Sequence, residues 1–157
     1  MRSPTIILRK ATLEDVPVLR PLITDYTQLI RDGTYLLAEA ATVIVGCGGW
    51  SRRKTAFGSD HVMDRDNTLL DPAKDAAKIR AFFVHPKWAR QGNGSRILDA
   101  CEAAAAAEGF ARLELVSTLP GEPMYRARGF VAGESFEVPL PNGTKLPVVH
   151  MTKKIER

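Results

Sequence analysis

Ala89-Arg90-Gln91-Gly92-Asn93-Gly94-Ser95 separates the apolar run Ile79-Arg80-Ala81-Phe82-Phe83-Val84 from an alanine-rich stretch that closes near Glu108. The apolar run is β-leaning and stops at Pro86, whose ring also pushes His85 out of helical geometry. Beyond the junction, Ile97, Leu98, Cys101, Ala104 and Ala105 recur at helical spacing, with Gly109 placed as a C-terminal stop. The junction is therefore a strand-to-helix turn built from small residues that leave the backbone bare. The first N–H groups of a helix lack intrahelical partners and sit at the positive end of its macrodipole. A glycine-rich entry can wrap phosphate oxygens with these main-chain donors, so a phosphate-bearing cofactor is the leading expectation.

Working outward, Arg112-Leu113-Glu114-Leu115-Val116 alternates and reads as a strand, which completes a β-α-β unit with a parallel, right-handed crossover. Pro120-Gly121-Glu122-Pro123 opens a short helix carrying Met124, Tyr125 and Ala127, closed by Gly129. Residues 130–138 and 146–153 form two more strands, joined at the hairpin signal Pro141-Asn142-Gly143. Upstream, residues 5–10 read as a first strand. Thr12 then offers an N-cap with Asp15 as its capping-box partner, and Val16, Leu19, Leu22 and Ile23 share a helical face. Pro17 is tolerated early in that helix, whereas Pro21 removes a ladder bond and breaks or kinks it near Arg20. Residues 26–30 add a further turn. Residues 35–39 and 42–50 make an antiparallel hairpin, in which Gly46, Gly48 and Gly49 mark a bulge or a closely approached surface. Residues 52–77 are polar and aperiodic, and read as a long loop. The expected fold is an α/β (α+β) sandwich: one mixed, mostly antiparallel central sheet with helices on both faces, shortened in its first helical region, and a single domain over residues 1–157.

The 157 residues are 45% hydrophobic and 25% charged, enough for a packed core, and no apolar run approaches the roughly 20 residues that span a bilayer. The start meets charge at Arg9-Lys10 after only a short apolar run, so no signal-peptide core is read and a cytoplasmic location is expected, with no membrane partner. Cys47 and Cys101 read as small buried hydrophobes, not as a disulfide framework. The net charge of +4 favours an anionic ligand. The basic clusters Arg52-Arg53-Lys54 and Lys153-Lys154 lack the aromatic interleaving of a nucleic-acid groove, so no nucleic acid is expected. His61, His85 and His150 and the two cysteines show no ligand spacing, so no metal is expected.

Three glycine-motif readings separate on the residues. A Walker P-loop ends in Gly-Lys-Ser/Thr, whereas Gly94 is followed by Ser95-Arg96. A dinucleotide fingerprint needs a small residue where Ile97 stands and belongs to a first β-α-β unit; Glu114 falls at the ribose-partner spacing, but the unit lies late in the chain. The segment His85-Pro86-Lys87-Trp88-Ala89-Arg90-Gln91-Gly92-Asn93-Gly94-Ser95-Arg96-Ile97-Leu98 resembles the acyl-CoA motif of the GCN5-related N-acetyltransferase (GNAT) family. A second block agrees, since Tyr125-Arg126-Ala127-Arg128-Gly129-Phe130 is similar to the family's tyrosine helix followed by Gly-Phe. With the order of elements, the resemblance covers nearly the whole chain.

The resemblance implies an acetyl-CoA-dependent N-acetyltransferase acting on a primary amine, from a small molecule or a peptide, by direct attack in a ternary complex. It implies that the CoA pyrophosphate rests on main-chain N–H groups of Arg90, Gln91, Gly92, Asn93, Gly94 and Ser95, with the Arg90 guanidinium adding charge. The pantetheine arm would pair with the strand end at Phe83 and Val84 by strand addition, and one N–H there would polarise the thioester carbonyl. Tyr125 would protonate the departing thiolate as a general acid with a reference pKa near ~10.

Two departures qualify the likeness. Ala89 stands where Arg or Gln is usual, which moves phosphate binding onto the main chain and Arg90. Residues 12–33 hold barely one and a half helices where two are usual, which leaves the acceptor wall open or completed by another subunit, as in a homodimer. For the general base, Glu39, Asp60, His61 and Glu114 are all placeable near the sheet or its loop, and the sequence does not choose among them. His85, before a proline at a strand end, reads as structural. Two rival classes remain: a CoA-binding or interaction module of the same fold with weak or no turnover, and a basic nucleic-acid binder.

Overall fold

The computed structural model describes residues 5–19, 26–54 and 68–155. Seven strands form one sheet in the order β1-β2-β3-β4-β5-β7-β6. They are β1 (Ile6–Lys10), β2 (Tyr35–Ala40), β3 (Val43–Ser51), β4 (Ala77–Val84), β5 (Arg112–Thr118), β6 (Val131–Pro139) and β7 (Lys145–Lys154). Every neighbouring pair is antiparallel except β4 with β5, which is parallel, as the crossover through α3 (Asn93–Ala107) requires. The helices α1 (Val16–Leu19) and α2 (Thr27–Asp32) lie between β1 and β2, and α4 (Glu122–Ala127) follows β5.

Alternation along the strands sends side chains to two cores. On one face Val45, Trp50, Ile79, Leu113, Leu115 and Met151 pack beneath Ile97, Leu98 and Cys101 of α3 and Tyr125 of α4. On the other, Tyr35, Leu37 and Cys47 pack beneath Leu19, Tyr26, Leu29 and Ile30 of the α1–α2 region. Cys47 and Cys101 are free, buried thiols in different cores, and burial pushes them up to about 11 and about 12, which keeps both protonated and inert.

The local signals act where the sequence puts them. The Asp15 carboxylate accepts the Thr12 N–H at 2.7 Å, closing the capping box, and also holds Arg9, whose guanidinium reaches Glu39 on β2 as well. Gly33 takes a left-handed φ of 75° to end α2, and Gly109, with φ 97°, follows the end of α3. The kink expected near Arg20 and Pro21, and the face positions Leu22 and Ile23, lie outside the described residues. The loop expected over residues 52–77 is paired at its described ends: Arg53 and Leu69 form an antiparallel bridge, flanked by Lys54 N–H to Thr68 carbonyl and Leu70 N–H to Arg52 carbonyl. Backbone groups close to the buried end of β3 need partners, which is why polar composition alone understated the order there.

The glycines of β3 are explained by close approach as well as by a bulge. The β2–β3 register shifts past Ala38, and Val45 and Gly46 both face α3 as a result. A Cβ on Gly48 would stand 2.7 Å from the ring of Phe82. That ring meets Tyr125 edge-on at 6.2 Å, so it has little room to swing. Gly48→Ala is expected to lower stability by about 1–3 kcal/mol through overpacking, read as a lower urea midpoint at unchanged m-value. An unchanged midpoint would mean that the ring moves aside freely.

Candidate active site

β4 and β5 share only two rungs, Ala77 with Leu113 and Lys78 with Glu114. Past them β4 continues along β3 and β5 continues along β7, so a parallel pair opens into a gap through the middle of the sheet. The opening is imposed by a bulge in β4. The β3–β4 register advances by two residues on β3, Cys47 to Gly49, against three on β4, Phe83 to Arg80. Ala81 sits in the bulge with φ 59°, a conformation that costs a non-glycine residue about 1 kcal/mol or more. The buried Tyr35 holds it there by donating its hydroxyl to the Ala81 carbonyl at 2.8 Å. The bulge reverses the alternation: Ile79 packs on the α3 side, Ala81 and Phe83 face the α1–α2 side, and Phe82 returns to the α3 side.

The mouth of the gap is the strand-to-helix turn. After β4, His85 Nδ1 accepts the Lys87 N–H at 3.1 Å, and residues Pro86–Trp88 make one 3-10 turn. His85 is thus a local cap. Arg90 and Gly92 then adopt left-handed φ values of 62° and 82°. The Gly92 carbonyl accepts the Arg96 N–H, so α3 begins with the N–H groups of Asn93, Gly94 and Ser95 ahead of its first intrahelical donor. The first turn carries no acidic residue and the N-cap offers no side-chain acceptor. Asn93 is buried and donates its side-chain amide to the Trp88 carbonyl, which ties the turn to the helix. Gln91 is exposed, with only a 3.5 Å contact to the Lys87 carbonyl.

Gly94 lies against the far wall. A Cβ there would come within 2.6 Å of Met124 Sδ on α4 and 3.3 Å of Val84 Cγ2 on β4. The turn, the end of β4 and α4 therefore meet at one point, and the sequence-predicted Phe83, Val84, Arg90–Ser95 segment and Tyr125 are brought to the same end of the sheet. Tyr125 is 8% exposed, edge-on to both Phe82 and Phe130. Burial, with a smaller contribution from Cys101, raises its hydroxyl pKa well above the usual tyrosine value.

The candidate bases part company. Asp60 and His61 lie outside the described residues. Glu39 is committed to Arg9. Glu114 projects from the last shared rung and is paired with Lys78 and with His150 Nε2, the latter at 3.2 Å. Phe82, Met124, Tyr35 and His150 were not singled out as site residues from the sequence. Phe82, Tyr35 and His150 enter through a strand register or a bulge, and Met124 through the packing of α4 against the start of α3, for which the linear pattern carries no signal; Gly48 opposite the Phe82 ring was the nearest hint. Among the described residues no group of three or more His, Cys, Asp or Glu is arranged to hold a metal ion, and no helix is long and apolar enough to cross a membrane.

A parallel strand pair that parts at a bulge, with an uncapped glycine-entered helix at its mouth, is the architecture of the acyl-CoA N-acyltransferase fold. The acetyltransferase (GNAT) family profile matches residues 7–130, and the chain belongs to that family. Its members are acyl-CoA-dependent acetyltransferases. The fold is shared with the GCN5-related N-acetyltransferase, described also as "Aminotransferase, Class-II", from Rhodopseudomonas palustris, at 22% identity, 99% coverage of both chains and a TM-score of 0.69. It is shared equally with the ribosomal-protein-S18-alanine N-acetyltransferase from Escherichia coli, at 13% identity, 98% of this chain, 96% of that one and a TM-score of 0.67. N-acetylglutamate synthase from Neisseria gonorrhoeae, solved with coenzyme A and N-acetyl-glutamate, matches 99% of this chain with 36% of its own, at 19% identity and a TM-score of 0.65. No curated protein matches the sequence.

Proposed function

We propose that this protein transfers the acetyl group of acetyl-CoA to a primary amine by direct attack in a ternary complex. The observation that carries the reading is the gap between β4 and β5, opening past Lys78 and Glu114, with the bare N-terminus of α3 at its mouth. An extended pantetheine arm fits such a gap because the freed edge of β4 offers main-chain groups at strand spacing. The N–H groups of residues 90–95 suit a pyrophosphate, since the turn has no competing carboxylate and Gly92 has open space beside it. Acetyl-CoA supplies an activated thioester, and the protein's task is to align the amine and polarise the carbonyl.

Main-chain N–H groups at the Ala81–Phe83 bulge would stabilise the oxyanion. Tyr125 would donate to the sulfur. Its raised pKa keeps it protonated throughout the neutral range, but it lies above the ~8.5 of an ordinary thiol. Complete transfer to the thiolate is uphill, so the hydroxyl acts chiefly as a hydrogen-bond donor to developing charge, and net thiol formation draws on the proton released by the amine.

The test is thiol release from acetyl-CoA with a panel of amines: an alanine-initiated peptide, a lysine peptide, spermidine and kanamycin. Transfer to at least one member is the expected outcome. Tight acetyl-CoA binding with no transfer to any would favour the second reading, a CoA-binding module, which the short, six-residue α2 ahead of β2 motivates.

A further inference from the structure

Tyr35 lies on β2, yet its hydroxyl donates to the Ala81 carbonyl on β4, so its side chain crosses the whole of β3. Gly49 lets it pass. That residue is the register partner of Tyr35, and a Cβ on it would stand 2.8 Å from Tyr35 Cδ1. Tyr26, at the start of α2, stacks on the ring with centroids 6.2 Å apart, and Tyr35 is fully buried. The Cys47 thiol of β3 joins the same network, hydrogen-bonded to the Tyr35 hydroxyl and to the Phe83 N–H. Because the tyrosine proton goes to Ala81, the thiol is the donor toward Tyr35 and the acceptor from Phe83. A hydroxyl and a thiol from β2 and β3 therefore grip β4 on both sides of Phe82.

What the grip controls follows from the bulge. Arg80 and Phe83 keep their rungs with Gly49 and Cys47, and Ala81 and Phe82 are the two residues that the register skips. Left-handed geometry at the first position of such a bulge is ordinarily the province of glycine, and an alanine at φ 59° stays there only if something holds it. The Tyr35 bond holds it through the carbonyl. The Ala81 carbonyl and the Phe82 N–H belong to one planar trans peptide and point in opposite directions. The hydroxyl reaches β4 from the β3 side, so the Phe82 N–H is turned away from β3, toward the side on which β4 parts from β5. Returning residue 81 to ordinary strand geometry would rotate that peptide, break the Tyr35 bond and take the N–H with it.

We propose that Tyr35 is a positioning residue for acetyl transfer: by holding the Ala81 carbonyl from behind, it aims the Phe82 N–H at the thioester carbonyl oxygen in the gap. The proposal rests on the acetyl-transfer reading above. The donor's bond to that oxygen strengthens as the amine attacks and the carbonyl electron pair moves onto oxygen, so its aim governs the rate of the chemical step more than the binding of acetyl-CoA.

Tyr35→Phe keeps the ring, its stacking on Tyr26 and its passage over Gly49, and removes the hydroxyl alone. With the fastest amine of the panel, kcat is expected to fall about 30-fold while KM for acetyl-CoA stays within about twofold. Infrared difference spectra of bound acetyl-CoA, labelled with carbon-13 at the thioester carbonyl, separate aim from packing. The carbonyl stretch should lie lower when bound to the wild type than in free acetyl-CoA, and about half or more of that lowering should vanish in Tyr35→Phe. An unchanged kcat, a lost kcat with the carbonyl shift intact, or a wild-type carbonyl with no shift would each overturn the proposal. If Tyr35→Phe folds poorly, the wild type labelled with nitrogen-15 phenylalanine carries the test: the Phe82 amide proton should move further downfield with acetyl-CoA than with CoA, which lacks the carbonyl. Equal shifts with the two ligands would overturn the proposal. A wild type that acetylates no amine of the panel would overturn the acetyl-transfer reading, and this proposal with it. An active wild type whose carbonyl shift survives in Tyr35→Phe overturns this proposal alone.

Discussion

Gly92→Val and Gly94→Val are expected to weaken acetyl-CoA binding by about 100-fold each, roughly 3 kcal/mol, while Gln91→Ala changes it by less than about threefold. The two glycines fail for different reasons. At Gly92 there is open space around the Cβ position, but φ is +82°, where a β-branched residue is a genuine outlier. Valine would pull residue 92 out of the left-handed region and swing the N–H groups of residues 90–95 away from a common point. At Gly94 the backbone is helical and the obstacle is steric, with Met124 Sδ 2.6 Å and Val84 Cγ2 3.3 Å from a Cβ. A methionine tip can yield to one methyl, so Gly94→Ala should be mild; the two further methyls of valine would fill the wedge between β4 and α4. Gln91 is exposed and its loss leaves the main chain intact. Titration calorimetry with acetyl-CoA, alongside thermal melts to separate folding from binding, reads the difference. Small and equal effects from all three variants would mean that the turn is not the phosphate seat.

Tyr125→Phe is expected to lower kcat by about 10- to 100-fold with acetyl-CoA affinity unchanged, at or below the lower end of the range for general acids because the hydroxyl is a weaker acid than the thiol it would assist. The variant keeps the edge-on contacts with Phe82 and Phe130, so the fold should hold. The sign of the pH effect follows from burial. Desolvation raises the pKa of Tyr125, so its proton is present throughout the neutral range and is lost only at strongly alkaline pH. The deficit of the variant should therefore be constant across neutral pH, and the wild-type advantage should shrink only in strong alkali. A variant with unchanged kcat at every pH and unchanged acetyl-CoA affinity would remove Tyr125 from the chemistry.

Much of the arrangement was legible because it is written in local rules. Thr12 with Asp15, Gly109 and Pro86 mark element ends whatever the rest of the chain does, since caps and stops are satisfied within a few residues. Alternation in residues 112–116 and the alanine stripe of α3 identified the crossover, and Gly92 and Gly94 announced a bare helix entry. The parts that were not legible depend on pairing between distant strands. Nothing in Ala77-Lys78-Ile79-Arg80-Ala81 says that the parallel ladder stops after two rungs, because the stop is caused by a bulge whose left-handed Ala81 is held from β2 by Tyr35.

By itself, then, the amino-acid sequence determined the order of elements, the glycine-rich strand-to-helix turn and the family to which the chain belongs, since these rest on periodicity, caps and glycines acting over short separations. Only the tertiary structure decided where the sheet opens, that Phe82 and Tyr125 share a face, and that Glu114 meets His150 rather than standing free. Side chains alternate with a period of two along a strand, so a single inserted residue reverses every contact beyond it. Register is set by the whole packed sheet, and no short stretch of sequence encodes it.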